Sequence, residues 1–331
     1  MNSTRFFIPV FLFVAAIAGA QDLHFSQPYH NPMHFTPAQT GVFRGDIRAM
    51  GMYRSQWTSV PVSYRTFAGA FDMKAWQRGS NALGAGLMIQ QDKAGDAGLS
   101  WLQIGLTGSA TRVLDEWNSL SVGFGLGVAQ RRFDITGLTF KNQWTGDTYD
   151  ASLPTKETFD QSTGLKPTLS AGLNWNFELP GTRTMANLGL GVFHLNRPDI
   201  SFGADAGEQL PMRWAILANT AVALNETYDL IVFGMGQRMG TAQEVLFGTG
   251  GRLWLIPEQT AIQFTLGMRL GDALIPALQY EFGEWTIGLS YDWNRSDFQT
   301  ATNGRGGFEL AVVYRALPVP PVKNFKSCPV F

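Results

Sequence analysis

Apolar and polar side chains alternate with period two in segment after segment of this chain. Over residues 119–128, Leu120, Val122, Phe124, Leu126 and Val128 fall on one side and Ser119, Ser121, Gly123, Gly125 and Gly127 on the other. Residues 168–179 repeat the rule, with Leu169, Ala171, Leu173, Trp175, Phe177 and Leu179 opposite Thr168, Ser170, Gly172, Asn174 and Asn176. Residues 285–294 do so again, setting Trp285, Ile287, Leu289, Tyr291 and Trp293 against Thr286, Gly288, Ser290, Asp292 and Asn294. Successive side chains of a strand point to opposite faces, so each segment is a two-sided ribbon. One side is long, apolar and ends in aromatics. The other is rich in Gly, Ser, Asn and Thr and lacks the Lys and Glu of a soluble surface. Such ribbons predict a barrel in lipid around a polar lumen.

Alternation and turn signals predict fourteen strands, near 44–55, 62–76, 81–91, 99–113, 117–130, 164–179, 183–195, 211–225, 228–238, 243–256, 260–270, 273–282, 285–294 and 306–316. The segments 44–55, 228–238 and 243–256 alternate poorly, which keeps twelve and sixteen strands as alternatives. The links after even-numbered strands are short: Gln77–Ser80, Leu114–Glu116, Pro180–Thr182, Glu226–Thr227, Pro257–Gln259 and Gly283–Glu284. The other links include the long stretches 131–163, 196–210 and 295–305. Short turns on one rim and long loops on the other are the outer-membrane pattern, with the short turns periplasmic. An even count then places both termini in the periplasm. The fold expected is all-β, a single transmembrane antiparallel β-barrel of about fourteen strands over 44–316. A periplasmic or plug-like segment (21–43) precedes it and a Pro-rich periplasmic tail (317–331) follows.

Residues 1–20 read as a cleaved signal peptide, with Arg5 in the n-region, Phe6 to Ile17 as the apolar core, and Ala18-Gly19-Ala20 before the cut. The apolar run is only about 12 residues, too short for a helical span. Charged residues make up 15% of the chain, against about 25% in soluble domains, which counts against a soluble sandwich. The formal net charge of −1 provides no basic surface for nucleic acid. The single cysteine, Cys328, has no internal partner for a disulfide.

Chemistry-bearing clusters are sparse. His24, His30 and His34 invite a metal reading, but Pro32 disfavours the helix that would bring the last two together, and too few further ligands lie nearby. His194, with Arg197 and Asp199 close by, resembles a base and its orienting carboxylate, but no partnered serine signature accompanies them. No enzyme, catalytic residue, metal or cofactor is therefore predicted. Arg48, Arg54, Arg238, Arg252, Arg269, Arg315, Glu281, Asp292 and Glu309 fall on the inferred lumen face. They read as mutually neutralising pairs, as a docking surface or as an ion-selective lining. Trp101, Trp117, Trp175, Trp214, Trp254, Trp285 and Trp293 fall on the inferred lipid side, where they suit interfacial girdles.

The stretch Phe25-Ser26-Gln27-Pro28-Tyr29-His30-Asn31-Pro32-Met33, running on to Thr36-Pro37-Ala38 and Gly41, resembles the opening of the PorP/SprF family. Tyr53-Arg54-Ser55-Gln56-Trp57, Pro61 and Thr66 look like that family's arginine-x-glutamine-tryptophan segment. Asp92-Lys93-Ala94-Gly95, Gly288-Leu289-Ser290-Tyr291-Asp292, Glu309 and the terminal Lys326-Ser327-Cys328-Pro329-Val330-Phe331 match in order. Thr36 departs from the family's usual asparagine. The resemblance implies an outer-membrane protein of the type IX secretion and gliding machinery of Bacteroidota. Its partners would be secretion-core components or large surface adhesins with a C-terminal signal domain, beside outer-membrane lipid. On that reading Phe25, Gln27, Tyr29, Asn31, Pro32, Pro37, Arg54, Gln56, Trp57, Cys328 and Pro329 become partner-binding candidates. Arg48, Arg252, Arg269, Glu281, Asp292, Glu309 and Arg315 become candidate lumen charges. A small-solute diffusion channel is the alternative that the same barrel permits.

Overall fold

A computed structural model describes residues 23–56, 64–95, 98–134, 138–156, 162–202, 207–296 and 305–316. The expected signal peptide, the tail 317–331, Trp57, Cys328 and Pro329 lie outside them. The first seven strands are β1 (Ile47–Gln56), β2 (Tyr64–Arg78), β3 (Asn81–Ala94), β4 (Leu99–Val113), β5 (Asn118–Arg132), β6 (Lys166–Glu178) and β7 (Met185–Phe193). The remaining seven are β8 (Arg213–Ala223), β9 (Tyr228–Met239), β10 (Ala242–Ile256), β11 (Thr260–Arg269), β12 (Ala273–Phe282), β13 (Trp285–Asn294) and β14 (Arg305–Ala316). Each pairs antiparallel with its sequence neighbours, and β1 closes on β14 from Ile47↔Ala316 to Gln56↔Gly307. Closure leaves no strand edge unpaired, which is what a sheet in hydrocarbon requires.

The two faces separate as the alternation predicts. Phe124 is 69% exposed, Leu106 61% and Leu173 56%, while Gln103, Ser109, Ser121 and Asn174 are buried on the inner face. This arrangement is the reverse of a soluble protein and matches a wall bathed in lipid. No helix among the described residues is long and apolar enough to cross a membrane.

The three poorly alternating segments are nonetheless strands, and the interior explains why. In β9 the inward residues Ile231, Phe233 and Met235 are apolar, and in β1 Met50 and Met52 join Arg48 and Arg54 inside. These positions pack against protein. Residues 23–43 lie within the barrel, and Phe35 joins a buried cluster with Phe193, Leu217, Ile231, Phe233, Leu246 and Ile275. Met33 packs among Met50, Ala70, Met88 and Val313. An expected polar lumen is therefore partly an apolar core.

The segment takes a doubled path, shaped by three 3₁₀ turns that each begin with proline: Pro28–His30, Pro32–His34 and Pro37–Gln39. Proline at the first position fixes φ where no N–H is needed. Leu23 and His24 sit at the end of the barrel that carries the long loops, beside Gln56, Gln237 and Asp272. The chain then descends to His30, near Gly288, and climbs to His34 beside Arg213. It descends again along β7, β6, β5 and β4 and leaves at the end with the short turns, where Asp46 donates its N–H to Ala316 O. The first and last described residues thus lie at opposite ends of the barrel.

The loop between β7 and β8 folds over the other mouth. Ile200 and Leu210 pack on Met239 and on Trp101 of β4, Glu208 pairs with Arg131 at 3.0 Å, and Phe202 meets Phe133 edge-on at 4.7 Å. Trp101 and Trp254 consequently face inward and not toward lipid. Trp101 lies under this lid, and Trp254 donates its indole N–H to buried Asp229 at 2.6 Å. Trp117, Trp175, Trp214, Trp285 and Trp293 are exposed on the outer wall.

Candidate functional site

Four strands bring two arginines and two carboxylates to the first residues of the plug. Arg54 of β1 donates to Asp292 of β13 at 2.7 Å and approaches Glu309 of β14 at 3.5 Å. Arg269, the last residue of β11, meets Asp292 at 2.7 Å, Glu244 at 2.7 Å and Asp272 at 2.9 Å. Arg54, Asp292 and Glu309 are almost completely buried. Charges so far from water persist only when paired and hydrogen-bonded, and removing one partner strands the others.

Ser26 sits at the middle of this group. Its hydroxyl donates to Asp292 at 2.5 Å and accepts from Arg54 and from Arg269, the latter at 2.9 Å. One proton and two lone pairs are thereby all used. The backbone N–H groups of Ser26 and Gln27 both donate to the Glu309 carboxylate, at 2.7 and 2.8 Å. An alanine would leave two guanidinium donors and a carboxylate oxygen without the hydroxyl they share. The segments that stand in the sequence as scattered motifs, around Ser26, Arg54, Asp292 and Glu309, therefore form one latch on the plug.

Further along, Arg213 donates to His34 O at 2.8 Å and to Gln237 at 3.0 Å, with its guanidinium 4.2 Å over the Phe193 ring. The His34 ring reaches Gln90 and Leu23 O. Near the exit, Asp72 grips Arg48 through two bonds of 2.9 and 2.8 Å and accepts the N–H of Gly41 at 2.7 Å. Arg213, Asp72 and Gln90 escaped the sequence reading. Their signal was parity alone, since each occupies an inward position of its strand.

Inward glycines complete the seat. A Cβ at Gly123 would overlap the backbone of Pro37 and Ala38, at Gly191 the carbonyl of Phe35, and at Gly84 the carbonyl of Thr40. The glycine-rich face is thus a track for the plug backbone, which bare walls allow to run against the sheet.

Of the partner-binding candidates, Phe25, Gln27, Asn31, Pro32, Pro37, Arg54 and Gln56 are buried inside, and Tyr29 is partly buried against Phe233 at 5.0 Å. Among the expected lumen charges, Arg252 and Arg315 share Glu281 at 3.1 and 3.8 Å, and Arg48, Arg269, Asp292 and Glu309 lie in the clusters above. Arg238 is a correction. It falls on the outward phase of β9 with Tyr228, Leu230 and Val232, because Asp229, Ile231, Phe233, Met235 and Gln237 take the inner face. His194 is fully buried with φ 57 and stands 6.3 Å from Trp101. Among the described residues no cluster of three or more His, Cys, Asp or Glu could hold a metal ion.

No curated protein sequence matches the chain. Its fold is similar to that of the TodX monoaromatic hydrocarbon channel, a deltaS2 mutant, with 8% identity and TM-score 0.50, covering 84% of this chain and 92% of that one. A Pseudomonas aeruginosa FadL homologue gives 11% identity and TM-score 0.50, over 84% of this chain and 92% of its own. These likenesses concern the outer-membrane barrel fold alone. Sequence carries the assignment further, since the model of the type IX secretion system membrane protein PorP/SprF matches residues 17–314, and the chain belongs to that family.

Proposed function

We propose that this protein is a non-enzymatic outer-membrane component of type IX secretion and gliding. It acts by docking a partner protein, an adhesin's C-terminal signal domain or a secretion-core subunit, and supports that partner's export or surface anchoring. The observation that carries the choice of scaffold over channel is the filled lumen: Ser26 and Gln27 are fixed on Glu309 and Asp292, and the β7–β8 loop folds over the same long-loop end. With residues 23–41 enclosed, the motif residues hold the plug, and the partner meets what the rims leave exposed. In this proposal the short-turn rim faces the periplasm. Docking then falls there, around Arg44 and the Pro-rich tail 317–331.

Planar-bilayer recording of the full processed protein tests the reading, paired with affinity isolation from native membranes and mass-spectrometric identification. A closed trace and a co-purifying secretion or adhesin subunit are expected. A steady open-channel current with no partner would favour the small-solute channel instead. Loss of the partner on deleting 317–331, with the barrel still folded, would place docking at the tail.

A further inference from the structure

A second site lies on the outside of the barrel, beside the lid and away from the plug. Trp214 of β8 and Arg238 of β9 are directly paired across the sheet, and both point outward. The lid sets exposed Arg197, in the left-handed conformation at φ 43, above the same spot. Together with Leu210, Pro211 and Met212 these residues line an open recess of about 380 Å³.

Neither Arg197 nor Arg238 has a carboxylate partner among the described residues, and Arg238 donates only to Gly240 O at 3.4 Å. The arginines inside the barrel behave differently, since Arg48, Arg54, Arg252 and Arg269 all hold acids. Two unpaired guanidinium groups at the edge of hydrocarbon are costly unless the membrane itself supplies an anion. A guanidinium offers planar, bidentate donors that match a phosphate group. Trp214, 57% exposed, provides the flat amphipathic surface suited to headgroup depth, and outward Ile216 continues the wall below it. Apolar wall therefore continues beside the recess, which suits an anion that carries acyl chains.

We propose that Arg197, Arg238 and Trp214 bind the phosphorylated headgroup of a membrane lipid at the long-loop end of the barrel. This inference rests on the outer wall facing lipid and is independent of the docking proposal.

The test is native mass spectrometry of the full protein in neutral detergent, titrated with diphosphoryl lipid A and with its dephosphorylated form. Wild type should prefer the phosphorylated lipid by about tenfold or more. Replacing both arginines (R197Q with R238Q) should abolish that preference, and R238Q alone should reduce it. Arg65→Gln, at an exposed position of the same rim, should leave it intact. Heat-modifiable migration of each variant confirms that the barrel has formed. Equal binding of the two lipids by wild type, or a preference that survives in the double variant, overturns the site. Complete displacement by inorganic phosphate at matched concentration would show a free-anion site and overturn the lipid assignment.

Discussion

Along β13, β14 and β1 the plug meets charge: Asp292, Glu309 and Arg54 converge on the hydroxyl and backbone of Ser26. Along β7 to β12 it meets mostly apolar side chains: Phe35 and Tyr29 press on Phe193, Leu217, Phe233 and Ile275, with Arg213 and Arg269 as polar exceptions near the long-loop end. The two sides ask different things of the same segment. Hydrogen bonds to buried ions have fixed lengths and directions, so the charged side sets which residue sits where. Burial of apolar area is non-directional, so the other side retains the plug without specifying its register. Specific placement falls mainly to one wall and retention mainly to the other.

Arg54→Ala is the most severe way to break this division. It leaves Asp292 and Glu309 buried with less compensation, and a loss of about 3–5 kcal/mol is expected. Denaturant unfolding measures the loss, and a protease site placed in residues 23–43 reports whether the plug comes free. Leu217→Ala on the opposite wall should cost about 2–5 kcal/mol by leaving a cavity, yet keep the plug protected from protease. Equal protease exposure in both variants would erase the distinction between the walls.

The outer face supplies a third reference. Leu173→Arg, set against lipid, should destabilise by about 2–4 kcal/mol near the bilayer midplane, and an unchanged unfolding midpoint would refute that facing. Ser26→Ala is milder, at about 1–3 kcal/mol, because the ions keep each other while losing the shared hydroxyl.

The smallest effect is a pH dependence. Burial first, with Arg315 and Arg252 nearby, holds the His30 imidazole down at about 3. Its unfolded value is about 6.5, so the unfolded chain takes up the proton first as pH falls. The contribution of neutral His30 is present above about 6.5 and is lost as pH drops from there toward 3. Unfolding midpoints measured between neutral and mildly acidic pH should fall, and His30→Gln should flatten that slope.

Strand number and the outer wall were legible because most outward positions obey one rule, apolar against lipid. The interior was less legible because it obeys two. Where the plug presents backbone or ions the inner face is glycine or charge, as at Gly123 and Arg54. Where it presents Phe35 the inner face is apolar, so β9 and β10 lose their alternation. Trp101 and Trp254 were misread for the same reason: an aromatic near a strand end looks like a girdle residue until the lid or Asp229 is seen behind it. The latch was visible only as motifs, since nothing in the chain order says that Ser26 and Glu309 touch across 283 positions.

The seam between β1 and β14 joins the two ends of the sheet, and the leader passes inside it from one mouth to the other. Threading a doubled, proline-cornered strip into a finished and roofed cylinder would require lifting the roof and clearing a path past Phe35. Assembly is simpler if the leader is laid against the open sheet and the last staves are zipped around it. Biogenesis and sealing then become a single event, and a molecule that completes its wall has already stoppered itself.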